Sequence, residues 1–194
     1  MRGGDRVGQI VRLQIQQVPI KKKGVGYFPD DLMVVDRAAV DVWGMLGWDG
    51  ERWVVDAHHK AHPSRRGDGR RPLSVGFTRH YELMAERFGE APLGIAGENI
   101  IVDAGALSLG DLGEGLVIET RSGELVMLER PRVAAPCPEF ASFMLGLDTV
   151  APRDEIEGPL ADLHDGRRGF IVSATPSPTA VELASGDVVY RGVV

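Results

Sequence analysis

Glycine and proline interrupt this chain along its whole length: 25 glycines and 12 prolines are spread through 194 residues rather than pooled in a tail. In a helix interior glycine costs about 1 kcal/mol relative to alanine and proline about 3 kcal/mol. Long helices are therefore disfavoured, and an all-helical bundle with them. Many short strands joined by tight turns satisfy the same constraint. With 43% apolar and 26% charged residues, the chain can bury one substantial core and is too short to promise two, so one domain over residues 1–194 is expected.

The patterning supports a mainly β fold. VGQIVRLQIQQV, residues 7–18, places Val7, Ile10, Leu13 and Ile15 in the loose alternation of a half-buried strand that Pro19 ends. Lys21, Lys22 and Lys23 open a turn-rich connection, and LMVVDRAAVDVW then reads as a strand. Gly47 and Gly50 are expected to turn the chain into a short strand at Trp53 to Val55. TRHYELMAERFG is the clearest helix: Tyr81, Met84, Ala85 and Phe88 fall at i, i+3, i+4 and i+7, with Thr78 placed to cap and Gly89 to stop it. Ile100 to Val102 forms a short strand, and EGLVIET with GELVMLERPR form a hairpin. After Cys137, PEFASFML makes a short helix with Pro138 in its first turn, and RGFIVSA and AVELASGDVVYRGVV supply closing strands.

A formal charge of −6 argues against a nucleic-acid partner, because phosphate contacts need a basic field. The N-terminus has no apolar run of signal-peptide length, and no segment approaches the roughly 20 apolar residues that span a bilayer. A cytoplasmic chain without a membrane partner is expected. With one cysteine there is no internal disulfide, and the thiol is either a buried apolar side chain or a group available for chemistry.

Four groups of residues have chemical potential. Cys137 sits between Pro136 and Pro138, after an arginine-bearing strand and before a helix start, where Arg132 and the helix end would both stabilise a thiolate. Asp56, His58, His59 and His62 form the string DAHHKAH, but no downstream cluster completes a tetrahedral zinc site. Arg65, Arg66, Arg70 and Arg71 flank a glycine-aspartate turn that either clamps phosphate or simply solvates a loop. Glu98 and Asn99 follow Gly97 in a tight turn. Nucleotide-binding glycine loops, the serine-hydrolase elbow and paired CxxC motifs are all missing from the sequence.

In order, GWDGERWVVDAHH, RHYELMAERFG, GIAGENIIVD, LSLGDLGEGLVIE and ERPRVAAPC resemble the MOSC domain, named for the C-terminal domain of molybdenum cofactor sulfurases. The likeness covers about residues 7–145, with closing strands over about 167–194. Gly47, Gly50 and Glu51 match the family's glycine-framed acidic turn with glutamate in place of aspartate. His58 or His59 matches its histidine, His80 and Tyr81 its EHY-like helix start, and Gly97, Glu98 and Asn99 its GEN turn. Cys137 matches the cysteine after a Pro-Arg strand end, here with a longer VAA spacer.

The resemblance implies a closed β-barrel of the pyruvate-kinase-barrel-like class with a few peripheral helices. It implies molybdenum cofactor (molybdopterin) held through Cys137, with His58, His59, Arg65, Arg66, His80, Glu98, Asn99 and Arg132 around it, in a reductase of N-hydroxylated compounds. Soft thiolate sulfur suits such a centre. Electrons would come from a separate flavin or iron-sulfur partner. Two other readings stand beside this one: Cys137 carries persulfide sulfur received from a cysteine desulfurase, or the barrel is a binding module without chemistry.

Overall fold

The computed structural model describes residues 4–64, 73–175 and 179–192. The expected arginine loop, including Arg65, Arg66, Arg70 and Arg71, lies outside the described residues. The chain runs through β1 (Arg6–Gln16), a small hairpin of β2 (Lys21–Lys22) and β3 (Gly26–Tyr27), and a 3-10 turn at Pro29–Asp31. Next come β4 (Leu32–Val35), β5 (Arg37–Asp41), β6 (Gly44–Trp48), β7 (Trp53–Val55), β8 (Leu73–Phe77), α1 (Thr78–Phe88) and β9 (Ile100–Asp103). The remainder is α2 (Leu109–Leu112), β10 (Gly115–Glu119), β11 (Leu125–Val133), α3 (Pro138–Met144), α4 (Glu157–Asp162), β12 (Phe170–Ala174), β13 (Val181–Ala184) and β14 (Val188–Arg191).

Seven strands close on themselves in the order β14, β10, β11, β12, β8, β9, β1, with β1 returning to β14. The expected barrel is present. Every neighbouring pair in the ring is antiparallel except β8 and β9, which run parallel. A parallel pair cannot be joined by a tight turn, and α1 supplies the crossover. Strand β1 is long enough to serve several partners. Arg6 to Gln9 pair with β14, Gln9 to Leu13 with β9, and Leu13 to Gln16 with β4.

Alternation along the strands divides the apolar residues between two cores. Ile10, Leu13, Leu73, Val75, Phe77, Ile100, Val102, Leu128 and Phe170 fill the barrel. Ile101, between two inward neighbours on β9, points outward and joins Tyr81, Met84, Tyr27, Phe140 and Met144 in a second layer under α1, α3 and the hairpin. Because β9 is buried on both faces, its sequence is a continuous apolar run.

Some local expectations need correction. The segment read as one strand over LMVVDRAAVDVW is two: β4 pairs with β1, while β5 belongs to a second sheet in the order β13, β5, β6, β7. Gly47 is not in a turn. It lies inside β6, where an added Cβ would stand 2.9 Å from Val35 Cγ1, so glycine there allows close packing. Gly50 does sit in the turn, at φ +104. Phe77, rather than Thr78, is the N-cap of α1, and Thr78 Oγ1 instead donates to the Ala104 carbonyl at 3.1 Å. The lysine run forms part of the hairpin β2–β3. No helix among the described residues is long and apolar enough to cross a membrane.

The close approach of β1 to β9 is directly testable. A Cβ on Gly8 would stand 2.0 Å from the Asp103 carbonyl oxygen, whereas one on Gly105 would meet nothing within 4 Å. Backbone must move in the first case, so Gly8→Ala is expected to cost at least roughly 1–3 kcal/mol. Gly105→Ala should change stability by less than about 1 kcal/mol. Urea unfolding midpoints of the two variants provide the comparison.

Candidate functional site

One rim of the barrel gathers residues from distant parts of the chain around a cavity of about 150 Å³. Gln16 comes from the end of β1, Lys21 and Tyr27 from the hairpin, His58 from the turn after β7, and Ser74 from β8. Gly97, Glu98 and Asn99 precede β9, Ala134 and Ala135 follow β11, and Arg168 precedes β12. Gly97 adopts φ +88, and a Cβ on it would stand 2.6 Å from Ile20. Only glycine turns the chain there without opening the rim.

The rim is organised by a buried carboxylate. Asp56 Oδ2 accepts from the Gln16 amide at 2.8 Å and from Asn99 Nδ2 at 3.0 Å, while Oδ1 accepts from the His58 amide at 2.8 Å. His58 Nδ1 stands 3.1 Å from the same Oδ1, which fixes the ring beside the cavity. Asn99 Oδ1 accepts from the Ser74 amide and hydroxyl, both at 3.1 Å, and its Nδ2 also donates to the Gln14 carbonyl at 3.3 Å. Asn99 thus ties β1, β8 and the Asp56 turn together, and both ends of its amide are occupied.

Cys137 lies at the edge of this arrangement as the N-cap residue of α3 and is only 7% exposed. Its extended backbone is held by a bond from the Ala141 amide to its carbonyl at 3.0 Å. Arg168 Nη1 approaches its Sγ at 3.5 Å and also donates to the Ala135 carbonyl at 3.3 Å. Nη2 donates to the Ala96 carbonyl at 3.3 Å, and the guanidinium lies 4.4 Å from the centre of the Phe140 ring. Arg168 Nε is buried with no partner. The ladder explains the meeting of Cys137 and Arg168: the Ala134 amide bonds to the Gly169 carbonyl at 3.1 Å, extending the β11–β12 pairing into the two loops.

Glu139, on the first turn of α3, interacts with the thiol. Burial opposes ionisation of its carboxyl, but the Gly24 amide, Lys21 and the Cys137 thiol together hold it below the usual range. The Gly24 amide donates at 2.9 Å, and Lys21 Nζ stands 3.8 Å away. Glu98 is in the opposite condition. It is 2% exposed, accepts from the Tyr81 hydroxyl through Oε2, and has no partner at Oε1. Burial pushes its carboxyl up to about 7 against the opposing pull of Tyr81 and Arg168. Tyr27 donates to the Ile95 carbonyl at 2.8 Å, and burial drives its phenol upward despite the nearby Arg168.

Of the residues expected from sequence, His58, Glu98 and Asn99 line the cavity and Cys137 borders it through Arg168. His59 does not reach it: the ring is buried with Nε2 3.3 Å from Asp41 Oδ2 and Nδ1 accepting from the Ala61 amide at 3.1 Å. His62 turns to the Gln17 carbonyl at 3.0 Å. The three histidines therefore diverge, and no group of three metal-capable side chains occurs among the described residues. His80 is also elsewhere, stacked edge-on against Phe77 with Nε2 accepting from the Leu107 amide at 3.2 Å. Arg132 is exposed on β11 beyond an irregularity between Glu129 and Arg132, and Arg168 brings a guanidinium to Cys137. Arg65 and Arg66 fall outside the described residues. Sequence reading missed Arg168, which lies 31 residues beyond the cysteine. Its only local signal is its place just before the closing strand FIVSA.

No family model matches the chain, and no curated protein matches it in sequence. Among solved structures it is similar to the YuaD protein from Bacillus subtilis, at 16% identity and a TM-score of 0.55 over 94% of each chain. A solved hypothetical protein is 17% identical with a TM-score of 0.55, over 96% of this chain and 69% of that one. At these identities the likeness shows a shared fold.

His80 provides a pH test of the packing around Phe77 and Phe170. Burial lowers its pKa to about 4 from an ordinary 6.5, so the folded chain keeps it neutral where the unfolded chain takes up a proton. Its contribution to stability is present above about pH 6.5 and is lost as pH falls towards about 4. Compared with native protein, His80→Gln should show a shallower loss of urea midpoint between those pH values; equal slopes would contradict the assignment.

Proposed function

We propose that the chain is a MOSC-like protein that holds molybdenum cofactor through the Cys137 thiolate and reduces N-hydroxylated compounds. The observation that carries the reading is the Arg168 guanidinium 3.5 Å from Cys137 Sγ, bridging the thiol and the cavity. A merely packed cysteine has no need of a charged donor, whereas a thiolate is stabilised by one. The ordered motif resemblance supports the same reading, and the fold shared with YuaD agrees with the barrel that it implies.

The residues present suit such a group. Among the described residues no protein cluster holds a metal alone, so a metal bound at Cys137 must take most of its ligands from an organic partner, as in a dithiolene cofactor. Arg168, with its unpartnered buried Nε, and Lys21 supply positive charge for an anionic cofactor. When bound, the cofactor supplies the two-electron chemistry of oxygen removal from nitrogen. The chain fixes the sulfur donor at the head of α3, excludes bulk water by burying it, and presents His58, Tyr27 and Glu98 to whatever enters the cavity. The burial of Cys137 weighs against the sulfur-carrier alternative, since a carrier thiol must reach a sulfur atom on another protein.

Protein produced with cofactor biosynthesis intact should contain molybdenum close to one equivalent and reduce an amidoxime or N-hydroxylated base when given an artificial reductant. Cys137→Ser should lose the metal. Arg168→Ala should lower metal retention or activity by about 10–100-fold. Folded, metal-free native protein from such cells would overturn the reading. A reductant-sensitive mass gain after incubation with a desulfurase and cysteine would favour sulfur transfer instead.

A further inference from the structure

The cavity contains one acidic group that the fold does not use. Asp56 and Asn99 are fully engaged in joining strands, but Glu98, which lines the cavity, has a buried Oε1 with no hydrogen-bond partner. Space is reserved for this side chain on both sides. A Cβ on Gly76 would stand 2.7 Å from Glu98 Oε1, and one on Gly169 would stand 2.8 Å from the same atom. A buried carboxyl without a second partner is costly, and a structural role would be served as well by glutamine.

Resting on the reductase reading above, we propose that Glu98 is the proton donor of the site: anchored through Oε2 by the Tyr81 hydroxyl, it delivers a proton through Oε1 to the oxygen leaving the substrate nitrogen. Reduction of R–NH–OH breaks the N–O bond and consumes two electrons and two protons, giving R–NH2 and water. The electrons come from a separate protein donor of the flavin or iron-sulfur class. One proton comes from Glu98 and the other from solvent, which also reprotonates the carboxylate. Tyr81 is a positioning residue in this scheme.

The surroundings of Glu98 suit a group that both holds and releases a proton. Tyr81 from α1 and Arg168 from the turn before β12 favour its ionised form, and burial favours the protonated one. Tyr27 from the hairpin touches the same set, since Arg168, Glu98 and Cys137 all act on its phenol. Lys21 and His58 line the cavity, and His58 is held on Asp56. Glu139 and Cys137 lie beyond Arg168 at the head of α3. The resulting balance places the Glu98 carboxyl near neutrality, at about 7, where acid catalysis is most effective.

Two measurements test the assignment. Infrared spectroscopy of cofactor-free protein should show a protonated carboxyl band that titrates near pH 7 and is absent in Glu98→Gln; a band titrating near pH 4.5 would overturn the proposal. In molybdenum-loaded enzyme, kcat/KM should fall above about pH 7 as the donor ionises. Glu98→Gln should lose that limb together with about 100-fold or more of the rate. Tyr81→Phe removes a bond that favours the carboxylate and should move the limb to higher pH, a shift that simple loss of fold does not produce. Activity that retains the native limb in Glu98→Gln would overturn the proton-donor role alone. Loaded enzyme that reduces no N-hydroxylated compound would overturn it together with the reductase reading, even where the infrared titration behaves as expected.

Discussion

An eleven-residue strand, β1, holds this molecule together by pairing with three others. Its first residues bond to β14 from the far end of the chain, and that single pairing converts an open sheet into a closed ring. Closure removes the unpaired edges that make open sheets prone to wrong partners. It also makes the two ends of the sequence mutually dependent. The same strand ends at Gln16, whose amide bonds to Asp56, so the element that closes the barrel also fixes the depth of the rim. A barrel only seven strands around has little room inside, and its interior is filled by side chains. A ligand is therefore accommodated at the mouth, where loops can diverge.

Buried polar residues at that mouth fall into two physical kinds. Asp56, Asn99 and Ser74 are mutually bonded, so their desolvation is offset by contacts that also align β1 and β8. Glu98 Oε1 and Arg168 Nε lack such a partner. Both residues line the cavity, and Arg168 also reaches the thiol, on elements that the first group holds in place. A satisfied network can therefore support an unsatisfied one, and this separation distinguishes scaffold from candidate chemistry more sharply than residue type does. Glu98 and Asn99 are adjacent in sequence, yet one has an unpartnered side-chain oxygen and the other has none.

Much of the fold was legible because its signals are local. The helix α1 follows from the spacing of Tyr81 and Met84, and β10 with β11 from a polar turn between apolar runs. Gly47 misled because glycine has two uses, and its role in close packing against Val35 depends on a strand distant in sequence. At the site, Cys137, the GEN turn and His58 could be named in advance but not located relative to one another. Arg132 is the basic residue nearest the cysteine in sequence, and the β-ladder brings up Arg168 from 31 residues further on. Among 22 lysines and arginines no local pattern singles that residue out. The divergence of His58, His59 and His62 was hidden as well, since His59 and His62 turn to acceptors distant in sequence, Asp41 and the Gln17 carbonyl, while His58 stays on neighbouring Asp56.

Charge balance links the thiol to the acid across the cavity. Lys21 and Arg168 bring two positive charges, and Glu139 returns one negative charge. Burial already disfavours the ionised form of Glu98, and an anionic ligand entering the cavity adds repulsion. The same event that fills the site therefore favours protonated Glu98, and the acid is best supplied with its proton when a ligand is present to receive it. Departure of the anion lowers the repulsion and releases the carboxyl to exchange with solvent. Coupling of this kind needs no moving lid, only a short distance between charges and a rim dry enough for them to act on each other.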